Sequence, residues 1–420
     1  MRRAVVFRFC VLYLTLYAFA TQVAGGVFLV PGAQLPAVGT LWPLRDVIEW
    51  LGPKLVGAPT PFVPGGSSGD TAFHWSQLVV LLVVAAAGTA IWTAIDPRPR
   101  EERARSQRLR AWFRLFVRFA LAAQMFYYGM AKVIPTQFQR PSLVTLVERV
   151  GNLSLSELLW TFIGASTPYQ IFTGAAELIA GLLLIVPQTT PLGALIALAD
   201  MIQVFALNAS YDFGLKMIAF HLILMSLFLL WPDLQRLANV LVLDRPAPAS
   251  SHPPLFRTAT RQRAALAAQI VFGLYLLVMF TNLSLRYWYS QGDGRPRSPL
   301  YGIWDVRALT VDGVTREPAL NDYDRRWKRV IFDTQDVVVI QRTDDSFAHY
   351  GLGAGSSAHH LDLWKGRSRS WQSTFTVSRP SPEQLVLEGQ MDGHQIRSEL
   401  TLLPLDTFEL LGSSFRWIRP

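Results

Sequence analysis

The 420 residues are 51% hydrophobic and only 16% charged; an ordinary soluble domain carries about 25% charged residues, so a wholly water-soluble fold is excluded. The formal net charge of +9 does not call for nucleic acid, because from Gln291 onward 16 Lys/Arg face 17 Asp/Glu and the excess lies among the apolar segments. The single cysteine, Cys10, rules out an intrachain disulfide, thiolate iron–sulfur ligation and a cysteine zinc cage.

A membrane-spanning helix needs about 20 mainly apolar residues. Seven stretches meet this: Ala4–Val30, Gln77–Ile95, Ala111–Val133, Pro168–Val186, Pro191–Ala209, Phe213–Leu230 and Ala264–Tyr287. Ala18-Phe19-Ala20 resembles a signal-peptide cleavage site, but the apolar run continues to Val30 and favours an anchor. Arg98, Arg100, Arg103, Arg105, Arg108 and Arg110 follow the second span; Arg236, Arg245, Arg257, Arg261 and Arg263 follow the sixth. The positive-inside rule makes these loops and the N-terminus cytoplasmic. The loops Pro31–Ser76 and Ile134–Thr167 then lie outside, and an odd number of spans exports the C-terminus. Leu155–Ile163 reads as a short interfacial helix.

After Tyr287 the pattern shortens and alternates. Tyr301–Leu309, Trp327–Phe332, Val337–Ile340, His360–Trp364, Ser373–Val377, Gln384–Leu387, Ile396–Leu402 and Phe408–Ile418 read as strands. Asp312-Gly313 and Asp392-Gly393 are tight hairpin signals. The expected fold is an α-helical membrane bundle plus a C-terminal antiparallel all-β barrel or sandwich. Its expected parts are residues 1–110, 111–244, 245–290 and 291–420.

Ionisable side chains inside spans are costly, so each is a functional candidate. Glu177 is central in the fourth span, with Gly174 and Gly181 on its face. Asp200 and Gln203 lie in the fifth. Tyr128 and Lys132 share a face of the third, and Asn208, Asp212, Lys216 and His221 gather around the fifth-to-sixth turn. Tyr128, Lys132, Asn208, Tyr211, Asp212, Lys216 and His221 fall in the outer half of the spans. The expected site is a polar cavity of Glu177, His221, Lys132, Lys216, Asp212, Tyr128 and Asn208. The plainer reading has both lysines snorkelling, Asp212 capping a helix and pairing with Lys216, and Glu177 and His221 as a structural pair or hydrogen-bonded to backbone. Arg114 and Arg118, on one face of the third span, either snorkel or pair with Asp200. Within the predicted spans His221 is the one histidine, which excludes bis-histidine haem. Gly351, Gly353 and Gly355 lack a strand-to-helix context and read as a glycine-rich turn. No P-loop, serine nucleophile elbow or His-Glu zinc helix occurs. Gly65–Thr71 reads as a turn with Asp70 or Thr71 near a helix cap, or as a small anion nest.

The block from Ala111 to Asp244 resembles the DoxX family of small membrane proteins. The residues carrying this are Phe126-Tyr127-Tyr128-Gly129-Met130-Ala131-Lys132 and Ala176-Glu177-Leu178-Ile179-Ala180-Gly181-Leu182-Leu183-Leu184, a Gly-x-x-Lys closing one span before a Glu-x-x-x-Gly span. The whole chain resembles bacterial DoxX-like proteins with extra helices and an exported β-domain. That pattern includes Ser68–Thr71, Gln137-Phe138, Ser210-Tyr211-Asp212, Lys216, His221 and Phe415-Arg416-Trp417-Ile418, with Ser413-Ser414 where it has Arg-Gly. The resemblance implies a four-helix core. It also implies an accessory role beside a catalytic partner in a quinone- or thiol-linked redox or envelope-stress system of the inner membrane. A quinone head or small anion is the expected ligand, and the bilayer and an exported or membrane protein the expected partners. The rivals are a proton-coupled transporter using Glu177, Asp200 and His221, and a structural anchor presenting the β-domain.

Overall fold

The computed structural model describes the whole chain except residues 1, 32–34, 64–68, 97–101, 249–253, 320–325, 354, 367–368, 413–417 and 419–420, and the side chains of 2–3 and 102–106. It divides into two compact units. One is Met1–Gln137 with Pro168–Arg286; the other is Phe138–Thr167 with Tyr287–Pro420. The loop between the third and fourth spans therefore belongs with the C-terminal strands. The boundaries expected from sequence had kept it in the helical core.

The helical unit contains α1 (Arg2–Ala20), α2 (Gln22–Val27), α3 (Leu44–Val56), α4 (Ala72–Ile95) and α5 (Glu102–Val133). After α6 (Leu155–Gly164), which belongs to the other unit, come α7 (Thr167–Ile185), α8 (Thr190–Ser210), α9 (Lys216–Leu230), α10 (Leu234–Leu241) and α11 (Ala259–Ser290). Among the described residues five helical stretches are long and apolar enough to cross a membrane: Ala72–Ile95, Thr167–Ile185, Thr190–Ser210, Lys216–Leu241 and Ala259–Ser290. The other two predicted spans are helical as well, with departures. The first breaks at Thr21, whose extended backbone (φ −116°, ψ −176°) separates α1 from α2. The third continues for 32 residues and carries Arg114, Arg118 and Lys132. Their buried faces join one apolar core, with Tyr13 and Tyr17 of α1, Met125 and Phe126 of α5, Leu184 of α7, Met225 of α9 and Phe280 of α11.

Glycine sets the approach of α5 to α7. A Cβ at Gly174 would lie 2.6 Å from the Lys132 Cβ and 2.7 Å from the Gly129 carbonyl oxygen; one at Gly181 would lie 2.7 Å from the Phe126 ring. The small face of α7 thus carries α5 directly over Glu177, as close small-residue packing permits.

The second unit is a closed antiparallel barrel. Its strands are β1 (Gly302–Val311), β2 (Val314–Thr315), β3 (Trp327–Phe332), β4 (Val337–Arg342), β5 (Phe347–Leu352), β6 (His360–Lys365), β7 (Trp371–Ser381), β8 (Gln384–Met391) and β9 (His394–Leu403). Each of β3 to β8 pairs with the next, and β1 pairs with both β3 and β9, so eight strands close the ring and β2 merely extends β1 as a hairpin. Both Asp-Gly signals form two-residue turns with positive φ at each position: Asp312 50°, Gly313 77°, Asp392 52°, Gly393 83°. Alternate residues, including Trp304, Phe332, Ile340, Leu363, Phe375 and Leu387, fill the interior, as expected for an eight-stranded ring.

On β1, β3 and β4 the opposite parity is buried too. Ile303, Ile331 and Val339 are covered by Leu143 and its neighbours Val144 and Val147, and by Leu405 and Phe408. Arg149 pairs with Asp345, and the Leu143 N–H donates to Asp333 at 3.3 Å. α6 starts on a capping box: Ser154 Oγ accepts the Glu157 N–H at 3.2 Å and Glu157 Oε2 accepts the Ser154 N–H at 2.8 Å. Two strand expectations change. Phe347–Leu352 is a strand although it holds Gly351. The predicted strand Phe408–Ile418 contains instead a short helix, α12 (Glu409–Gly412); Phe415, Arg416 and Trp417 lie outside the described residues.

Candidate functional site

The seven residues singled out from sequence do not form one constellation. The structure sorts them into a buried acid–base cluster, an aromatic–imidazole stack and an exposed turn, with Asn208 standing by itself.

The acid–base cluster joins α5 and α7. Lys132 Nζ donates to Glu177 Oε1 at 2.5 Å, and the side chains are 8% and 1% exposed. Glu177 Oε2 is buried without a hydrogen-bond partner, as is Oδ2 of Asp200 on α8. Asp200 acts electrostatically on both Lys132 and Glu177. Glu177 alone holds the ammonium, with Asp200 within electrostatic reach, and each carboxylate keeps an oxygen unsatisfied in a place where such atoms are costly. Tyr128, one turn before Lys132, accepts a hydrogen bond from Gln22 Nε2 at 2.8 Å and lies in electrostatic reach of Glu177. Further along the glycine face of α7, Gln170 is fully buried with neither amide atom hydrogen-bonded.

His221 is held elsewhere. Its Nδ1 lies 2.7 Å from the Met217 carbonyl, which can only accept, so Nδ1 carries a proton; the Tyr13 hydroxyl lies 2.6 Å from Nε2 and donates to the neutral ring. The ring also stacks on Tyr17, centroids 3.5 Å apart and planes at 6°. Both nitrogens are engaged, so of the two plainer readings His221 takes the backbone hydrogen bond, to Met217, and not the pairing with Glu177. The imidazole ties α9 to α1.

Lys216 and Asp212 form the pair of the plainer reading, without its cap. Lys216 Nζ lies 3.2 Å from Asp212 Oδ1, with the Asp212 side chain 89% exposed. Asp212 does not cap α9. That role belongs to Asp70, whose carboxylate accepts the N–H groups of Lys216 at 2.7 Å and Met217 at 2.9 Å from across the unit. The left-handed backbone of Asp70 (φ 72°) aims its side chain at the orphan donors of the first turn. The Gly65–Ser68 part of that loop lies outside the described residues. Asn208 is buried with its Nδ2 unpartnered. Arg114 and Arg118 do not reach Asp200: Arg114 pairs with Asp233 at 3.7 Å, and Arg118 donates to the Gln269 side chain. Among the described residues no group of His, Cys, Asp and Glu is arranged to hold a metal.

Neither family models nor solved structures match the chain. It is 34% identical over 130 residues, covering 31% of its own length and 80% of the relative, to "Uncharacterized protein YwoB" of Bacillus subtilis (strain 168). The chain belongs to the YwoB family. That name carries no activity to transfer, so the chemistry of a YwoB-family chain has to be read from its own residues. Sequence reasoning missed Tyr13 and Tyr17 as the buried partners of His221, and Gln22 as the exposed donor to Tyr128. The available signal was two tyrosines at i, i+4 inside an apolar span, which place two hydroxyls on one helix face.

Proposed function

We propose that this YwoB-family chain is a multi-pass inner-membrane protein, N-terminus cytoplasmic and barrel exported, acting as the accessory subunit of a quinone-linked redox system. The Lys132–Glu177–Asp200 cluster would receive the quinone head. The carrying observation is the pair of unsatisfied carboxylate oxygens, on Glu177 and Asp200, near the ammonium that Glu177 holds. Such a site offers acceptors to the hydroxyls of a reduced quinone and one donor, Lys132, to a ring oxygen. It suits a neutral hydrogen-bond donor better than the small anion also expected from sequence, because two acids stand against a single cation.

The orientation rests on the arginine-rich loops and on chain connectivity. Residues 138–167 and 287–420 form one unit, so they must share a side of the membrane. Four candidate crossings, Thr167–Ile185, Thr190–Ser210, Lys216–Leu241 and Ala259–Ser290, separate them, and an even number returns the chain to that side.

Extraction and chromatography of quinones from protein purified in mild detergent test the reading. Wild type should retain quinone and Glu177→Gln should lose it; equal content in both sinks the assignment. A proton-coupled transporter is the second reading, favoured by the same two acids within electrostatic reach of one cation. Proton-driven uptake into proteoliposomes without bound quinone would select it. His221, with both nitrogens occupied, would take no part in that relay.

A further inference from the structure

Arg118 is a charge the acid–base site does not use. It lies on α5 with 5% exposure, inside the apolar core of the helical unit. Its guanidinium donates to the neutral Gln269 Oε1, and its Nε has no hydrogen-bond partner. Gln269 is itself fixed, its Nε2 donating to the Ala265 carbonyl at 2.8 Å, so its oxygen is held toward the arginine. Among the described residues no carboxylate pairs with Arg118; the charged group acting on it is another cation, Arg114. Burying a guanidinium without a counter-charge costs several kcal/mol in a protein interior, which makes an uncompensated one in a membrane span a ligand signal.

Arg118 also closes a file. Arg110, Arg114 and Arg118 fall at i, i+4 and i+8, and so share one face of α5. They pass from exposed through half-buried to buried. Helical side chains lean toward the N-terminus, so the Arg118 guanidinium leans toward Arg114 and the exposed end of the file. Arg114 is partly neutralised, donating to the Leu229 carbonyl at 2.6 Å and facing Asp233, which also holds Arg236 at 2.6 Å. Arg110, at the exposed end, sits over the Phe7 ring at 5.2 Å. The result is a graded cationic file whose innermost member lacks its anion.

We propose that Arg118, with Arg114 and Arg110, binds a phosphate-class anion at this end of the helical unit, supplied by an acidic phospholipid head group or by free phosphate. Guanidinium geometry matches phosphate oxygens through paired N–H donors, and basic sites between spans bind acidic lipid heads by the same chemistry. This site is distinct from the Lys132–Glu177 cluster, and its test does not read quinone.

The full-length protein in neutral detergent would be titrated with phosphatidylglycerol, with phosphatidylcholine and with inorganic phosphate, and followed by native mass spectrometry and thermal unfolding. Wild type should bind and be stabilised by phosphatidylglycerol and not by phosphatidylcholine if the source is lipid, or by inorganic phosphate if the source is a free anion. Removing the exposed cation in Arg110→Gln should weaken binding about fivefold, the effect of roughly one surface arginine. Arg118→Gln should abolish it, with Arg118→Lys retaining part. No binding of either anion by wild type, or equal binding by Arg118→Gln, overturns the proposal. If Arg118→Gln does not fold, undiminished binding by Arg110→Gln and Arg118→Lys overturns it as well.

Discussion

Removing one member of the Lys132–Glu177 pair leaves the other charge buried without its hydrogen-bonded partner. Lys132→Met or Glu177→Gln alone should therefore destabilise the helical unit by about 3–5 kcal/mol. The double variant should cost less than the sum of the two, which a double-mutant cycle by thermal unfolding in detergent would measure. Asp70→Ala removes the acceptor for two N–H groups of α9 and should cost about 1–2 kcal/mol. Asp212→Ala, at an exposed pair, should change stability by under about 1 kcal/mol. In the barrel, hydrogen bonding from Lys328 at 2.5 Å, with the Lys328 and Arg149 charges beside it, holds the Asp345 carboxyl below its ordinary range. A depressed folded value means stability that is complete above the unfolded value, about 3.9, and lost as pH falls through the folded one. Asp345→Asn should flatten that acid limb in near-ultraviolet circular dichroism of the full chain. An unchanged limb would assign acid sensitivity to other carboxylates.

Helices and strands carry their own tests. Gly174 faces α5 at a distance that leaves no room for a side chain, so Gly174→Val should cost about 1–3 kcal/mol by overpacking. It should also separate Lys132 from Glu177 and release bound quinone, although neither charge is touched. Quinone retained at wild-type content would show that the close approach does not hold the pair. Most elements were legible because their periods are clear: seven apolar runs, and alternation in Trp327–Phe332 and Gln384–Leu387. β5 was missed because Phe347–Leu352 mixes Ala348, His349 and Gly351 without clear alternation; its Gly351 is required by the ring of Trp364, 2.1 Å from where a Cβ would stand. The Phe408–Ile418 run resembled a strand by its aromatics. Pro404 and the turn Leu405–Thr407 stop β9, and Leu405 and Phe408 cover the outside of the barrel rather than entering its ladder.

At the scale of the whole chain, the paired unit of residues 138–167 and 287–420 makes topology testable at two points at once. In a Cys10→Ser background, Ser154→Cys and Ser378→Cys should both react with a membrane-impermeant maleimide added from outside intact cells. Gln235→Cys should react only after permeabilisation. Opposite labelling of Ser154→Cys and Ser378→Cys would contradict the even number of crossings between them. The sequence by itself determined the membrane class, the approximate spans, the hairpin turns of the barrel and the acidic and basic residues worth inspecting. Each of these follows from local composition and spacing. Only the tertiary structure decided that Lys132 meets Glu177 while His221 meets Tyr13, that Asp70 rather than Asp212 caps α9, and that Arg118 finds a glutamine instead of an acid. Depth in a bilayer is a one-dimensional quantity readable from the chain. Which side chains at one depth touch depends on helix rotation and neighbour order, and small-residue packing across distant segments sets those.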